Sequence, residues 1–237
     1  MSTNSTFRFL DLPPELRTRI YSELLEMDGD LFIYQDEGLK VQYRNRPSHH
    51  GDKPLITVGL LCTCKQIHFE ATPILYGSNT IGASQPNNVK FLQAIGSSIQ
   101  HIRSFFVAYC NRPYFEDVCQ LLEGAPFLEQ LSLADKSRAV LECGRERFPF
   151  VLAPLMRSLD QAWKKHPDKK DKDVLEILYV DPGLLGSEEY EREHTIAQAK
   201  AWEEEIKSGL KEELGRAAKP STDVEKQEVR GQKDVGI

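Results

Sequence analysis

Three stretches of this chain carry one spacing of apolar residues: IRSFFV (Ile102 to Val107), LEQLSL (Leu128 to Leu133) and LEILYV (Leu175 to Val180). In each, apolar residues stand at the first, fourth and sixth positions. The alternation at the end suits an extended strand, whose successive side chains point to opposite faces. Helical spacing lies between the copies. Phe115, Val118, Leu121 and Leu122 mark the first gap, and Val151, Leu152, Leu155, Leu159, Ala162 and Trp163 the second. Strand–helix–strand succession favours parallel strands with right-handed crossovers.

The same apolar form is the core of a leucine-rich repeat. The copies begin 26 and then 47 residues apart, so any repeat is irregular. A mixed sheet covered by helices carries the same pattern. The fold class expected is α+β: helices packed on a small mixed sheet, with an irregular leucine-rich-repeat-like β/α C-terminal half.

The N-terminal part opens with FLDLPPELRTRIYSELLEM. Pro13 and Pro14 suit a first helical turn, where a missing N–H costs nothing, and Glu15 suits the positive end of the helix dipole. Leu16, Ile20, Leu24 and Met27 fall on one helix face, and Gly29 ends it. LFIYQ and LKVQYRN, separated by Asp-Glu-Gly, read as a hairpin. Residues 46–53 read as a polar loop. LITVGLLCTCKQIHFEATPILYGSNTI reads as a second helical unit with Leu60, Cys64, Ile67 and Ala71 on one face, kinked or restarted at Pro73 and ended by Gly77. A short strand opens at Thr80 and Ile81, and Val89, Leu92, Ile95 and Ile99 mark a third helix. Residues 7–186 are expected to form a single domain, with an F-box-like part over about 7–106 and a β/α part over about 102–186. An amphipathic helix follows at 188–215, with Ile196, Ala199, Trp202, Ile206, Leu210 and Leu214 on its stripe, which must dock back or bind a partner helix. Residues 216–237 nearly lack large apolar side chains and are expected to be a disordered tail.

Chemistry-bearing patterns are sparse. There is no Gly-rich phosphate loop, nucleophile elbow or His-Glu-x-x-His helix, and no catalytic, cofactor-binding or metal-ligating residues are assigned. Cys62-Thr-Cys64 lacks the two-residue spacing of common zinc or redox pairs, and Cys64 falls on the apolar stripe, so a buried structural cysteine is expected. His49-His50 lies in a polar loop without converging ligands. Lys164, Lys165, Lys169, Lys170 and Lys172 are interrupted by Asp168, Asp171 and Asp173 and read as an exposed loop. The net charge of −6 argues against a nucleic-acid partner. No apolar run has the length of a membrane span. Met1 to Thr6 is polar and does not read as a secretory signal. Five cysteines at scattered spacing fit a reducing compartment, cytoplasmic or nuclear. A non-enzymatic protein that works through protein partners is therefore expected.

Three segments carry a family resemblance. FLDLPPELRTRIYSELL resembles the opening of an F-box, whose first helix follows a Leu-Pro-x-Glu-Leu start. LLCTCKQIHFEATPILYGSNTI is similar to its continuation in the large F-box-like family of filamentous fungi, and FLQAIGSSIQHIRSF resembles the segment that follows there. The resemblance covers about Phe7 to Phe106. It implies a Skp-type adaptor as partner, a cullin-RING ubiquitin ligase as context, and an unknown substrate protein read by the C-terminal β/α region. Leu12, Pro13, Leu16, Ile20 and Leu24 would form the adaptor-facing helix. One departure stands out: the segment from Leu31 to Pro54 separates the first helix from the second. From the residues themselves, Leu16, Ile20 and Leu24 fit the chain's own core equally well. A scaffold with this fold and no ligase link is the alternative.

Overall fold

The computed structural model describes residues 8–27, 29–36, 38–44, 56–83, 87–107, 112–134, 147–181 and 189–217, the side chains of 34–44, 83, 189–195 and 216–217 excepted. The expected tail from 218 onward and the loop at 45–55, with His49, His50, Arg46 and Lys53, lie outside them. Helix α1 is Pro14–Leu25. Strands β1 (Asp30–Asp36) and β2 (Gly38–Arg44) follow, then α2 (Lys65–Ser78) and β3 (Thr80–Ala83). Next come α3 (Asn87–Ile95), β4 (Ser104–Val107), α4 (Arg112–Leu122) and β5 (Gln130–Ala134). Helix α5 (Phe148–Lys164), β6 (Leu178–Asp181) and α6 (Glu189–Ala217) complete the order.

The strands form one six-stranded sheet in the order β2-β1-β3-β4-β5-β6. Only the β1–β2 hairpin is antiparallel, and the other four pairings are parallel. Mixed helix and strand is therefore the fold class, and its sheet is mostly parallel. The hairpin is no appendage, because β1 is the first strand of the parallel series.

Register explains the apolar spacing. Leu31, Ile81, Phe105, Leu131 and Leu178 lie in one row across the sheet. Ile33, Ala83, Val107, Leu133 and Val180 lie in the row two residues on. The described side chains of both rows are buried. The first apolar residue of each copy, Ile102, Leu128 or Leu175, stands before its strand and is also buried. The strands therefore start later than the motif does. A short 3-10 turn, Val174–Ile177, precedes β6, and the Asp173 carboxylate caps it by accepting from Leu175 N–H at 2.9 Å.

The helices gather on the face that these rows present. Leu92, Val118, Leu122, Leu155, Leu159, Trp202, Ile206 and Leu210 share one core with Ile81, Phe105 and Leu131. Phe148 stacks on Phe115 at 4.7 Å between centroids and meets Trp202 at 6.0 Å. A smaller core joins Tyr21 and Leu25 of α1 and Ile67, Ala71 and Leu75 of α2 to Leu31. On the opposite face the described apolar cluster is Phe32 and Phe106 with Ala134 against them, and no described helix joins it.

Helix α6 docks, as a stripe of Ala199, Trp202, Ile206 and Leu210 requires, while Ile196 stays exposed. It also shields the sheet's edge. Glu203 accepts from the Val180 N–H of β6 at 3.1 Å and pairs with Lys207 at 2.6 Å. A bare edge strand is otherwise a template for unwanted pairing. Gly209 sits where α6 meets α5: a Cβ there would come within 2.5 Å of the Pro149 ring. Gly209→Leu is expected to destabilise the protein by about 1–3 kcal/mol through overpacking. Urea unfolding followed by circular dichroism measures it, and an unchanged midpoint would contradict the close packing.

Candidate functional site

Helix α1 turns a polar and aromatic face inward. Arg17, Tyr21 and Leu25, spaced by four, are its buried residues. Arg17 is fixed by four hydrogen bonds. Its Nε and Nη2 donate to the two Glu70 carboxylate oxygens of α2 at 2.9 and 2.7 Å. Its Nη1 donates to the Leu12 carbonyl at 2.5 Å and to the Leu10 carbonyl at 3.2 Å. Two parallel bonds from a guanidinium to a carboxylate set direction as well as energy. Tyr21 donates its hydroxyl to Glu70 at 2.9 Å, and Gln66 donates its amide to the same carboxylate at 3.0 Å. Four donors thus converge on one carboxylate. The bonds from Arg17 and then Gln66 hold Glu70 down at about 2. Burial, and then the bond to Glu70, pushes the Tyr21 hydroxyl up to about 12.

Asn79 ties the far ends of the two helices together. Its amide donates to the Leu25 and Leu75 carbonyls, both at 2.8 Å, and its oxygen accepts from Met27 N–H at 2.9 Å. The last carbonyls of a helix lack helical donors, so one buried side chain satisfies both helix ends. Ser78 donates to Glu26 beside it.

With that face pinned, the neighbouring stripe, about 100° around the helix, is left partly in solvent. Leu16 is 48% exposed, and Leu10, Ile20, Leu24 and Val58 are exposed as well. Pro13 is exposed and Leu12 half-buried. Four of the five residues assigned to an adaptor-facing helix therefore present surface. Arg17, Tyr21 and Leu25 hold the most buried positions of α1, while Ile20 and Leu24, each 36% exposed, are partly covered and partly open.

Other sequence expectations are corrected here. Cys62 and Cys64 are both exposed, whereas Cys119 is buried. Cys64 is the residue before α2 begins, so its place on the extrapolated stripe never becomes a helical face. The second helical unit is two pieces, a 3-10 turn at Val58–Cys62 and then α2. Helix α2 runs through Pro73 to Ser78 without restarting there, and its inward side is Ile67, Ala71, Thr72 and Leu75. Pro73 and Phe69 are both exposed, so the carbonyl robbed of its helical donor lies on the wet side. His68 is exposed, with its ring Nδ1 3.1 Å from the Leu61 carbonyl. Lys169 is buried rather than part of an exposed loop. It pairs with Glu129 at 2.8 Å and lies over the Trp163 ring at 4.9 Å.

Among the described residues, no group of three or more His, Cys, Asp or Glu stands where it could hold a metal ion. No helix among them is long and apolar enough to cross a membrane. Comparisons with protein-family models, curated proteins and solved structures find no match. The sequence reading missed Arg17, Tyr21, Glu70 and Asn79. Their signal was faint: an arginine and a tyrosine four apart beside a stronger leucine stripe.

Because the folded Glu70 sits below its ordinary value of 4.5, its contribution is present above about 4.5 and lost as pH falls through about 2. Glu70→Gln is expected to lower the urea midpoint at pH 7, with the gap from wild type closing between pH 4.5 and 2. A gap independent of pH would contradict an ionised Glu70 as the tie between the helices.

Proposed function

We propose that this chain is a non-enzymatic, F-box-like protein-interaction module that acts as substrate receptor of a cullin-RING ubiquitin ligase. Its partners on this reading are a Skp-type adaptor and a substrate protein, in cytoplasm or nucleus. The observation that carries the proposal is the solvent-facing row of Leu16, Ile20 and Leu24 with Leu10 and Pro13 beside it. A side chain such as leucine gains about 1.5–3 kcal/mol on full burial, so a row of them on a rigid helix favours a partner. The row falls on the segment that resembles the opening of an F-box. The β/α part supplies a substrate reader, and its three apolar copies with strands in sequential order support a leucine-rich-repeat-like description.

A scaffold of the same fold without a ligase link is the second reading. It is favoured by the β1–β2 hairpin between α1 and α2, where the F-box it resembles runs on without a break.

The test is a pull-down with purified Skp-type adaptor. Wild type is expected to retain the adaptor, and Leu16→Asp plus Ile20→Asp to lose it. Leu16 is 48% and Ile20 36% exposed, so circular dichroism of the double variant checks that it stays folded before its binding is read. Failure of wild type to hold the adaptor would remove the ligase reading and leave the scaffold.

A further inference from the structure

The Cys62-Thr-Cys64 motif has no part in the core. Free cysteine is among the residues most often buried, and Cys119 follows that habit. Cys62 and Cys64 are both exposed instead. They flank Thr63 at the junction between the 3-10 turn Val58–Cys62 and α2.

That junction is held from both sides. Thr63 donates its N–H and its hydroxyl to the Leu60 carbonyl at 3.2 and 2.7 Å. The His68 N–H donates to the Cys64 carbonyl at 2.9 Å, which joins Cys64 to the first turn of α2. Thr63 is in the right-handed helical region, at φ −75° and ψ −49°. A residue in that conformation sets the Cα atoms of its two neighbours about 5.5 Å apart. Disulfides bridge Cα atoms about 4.4–6.8 Å apart, so the two cysteines stand at bridging distance on a fixed backbone. Cys64 is also the N-cap of α2, where Ser, Thr, Asp or Asn ordinarily bonds the helix, yet its side chain makes no capping hydrogen bond.

We propose that Cys62 and Cys64 form a reversible dithiol–disulfide site, oxidised by small-molecule disulfides such as glutathione disulfide. Cys64 gives its proton to water, and its sulfur attacks one sulfur of the glutathione disulfide. The bond between the two glutathione sulfurs breaks, a Cys64–glutathione bond forms, and one glutathione leaves as a thiolate that takes up a proton. The Cys62 sulfur, its own proton lost to water, then attacks the Cys64 sulfur. The second glutathione leaves in the same way, and a Cys62–Cys64 bond remains. Two protein thiols are oxidised and one glutathione disulfide is reduced to two glutathiones. Cys64 makes the first attack because a helix N-terminus favours a reactive thiol, whereas buried Cys119 stays inert. An exposed disulfide is of the labile, regulatory kind rather than the structural kind. In a reducing compartment the pair stays as thiols, and it responds when the glutathione poise turns oxidising. The inference goes beyond the reading of the chain as a protein-interaction module and does not depend on the adaptor row.

The experiment exposes the native full-length chain to mixtures of reduced and oxidised glutathione. Remaining thiols are then alkylated in denaturant, and the peptide holding both cysteines is weighed by mass spectrometry. In wild type that peptide is expected to pass to a form lighter by two hydrogens, with neither alkyl group nor glutathione on it, while Cys119 stays fully alkylated. Excess reduced glutathione should restore both thiols. Cys62→Ser should stop at a glutathione adduct on Cys64. Cys64→Ser should slow modification of Cys62 by about tenfold or more, because the attacking sulfur is gone. Both positions are exposed and serine is itself a favoured N-cap, so each variant should keep the wild-type circular-dichroism spectrum. Glutathione on both cysteines without an internal disulfide, disulfide-linked dimers in its place, or Cys62 reacting at the wild-type rate in Cys64→Ser would overturn the proposal.

Discussion

Arg17 lies between two backbone carbonyls of the turn ahead of α1 and both carboxylate oxygens of Glu70 on α2. This one side chain joins the chain's leading turn, its first helix and its second. A buried guanidinium without a partner is strongly unfavourable, so α1 can rotate only if the whole set of bonds breaks. Tyr21 and Gln66 add to the same carboxylate, and Asn79 fixes the other end of both helices. The rotation of α1 is thus set by polar contacts. Leu25 is buried with them, and Leu16, Ile20 and Leu24 are left on the partly exposed side.

The same constraint links the two parts of the chain. Tyr21, Leu25 and the α2 residues they meet pack on Leu31 of β1, and β1 pairs with β3 in the parallel series that runs on to β6. The segment from Leu31 that looked like an insertion between two helices therefore supplies the sheet's first parallel strand. The exposed row of α1 and the sheet are positioned by one continuous framework.

Much of this framework was legible in the sequence. The spacing of Phe105 and Val107, of Leu131 and Leu133, and of Leu178 and Val180 announced strands buried on one side. Strand starts were placed early, because Ile102, Leu128 and Leu175 fill the core from the turns before them. The stripe on α6 was also readable, since Trp202, Ile206 and Leu210 have nowhere else to go. The facing of α1 was not. Two stripes run along it, and apolar periodicity selects Leu16, Ile20 and Leu24 over Arg17, Tyr21 and Leu25. The deciding partner, Glu70, is 53 residues away in the chain, beyond any local pattern. The exposure of Cys62 and Cys64 was hidden for a related reason. The apolar stripe extends on paper across Cys64, where α2 has not yet begun.

The central claim is that polar ties turn the leucine row of α1 to solvent. Thiol labelling tests it directly, with cysteine placed singly at Leu16, Ile20 and Leu25 and the labelled peptide resolved by mass spectrometry. The account predicts rapid labelling at positions 16 and 20 and strong protection at 25 under native conditions. Protection at 16 and 20 together with rapid labelling at 25 would mean that α1 faces the other way, and would contradict it.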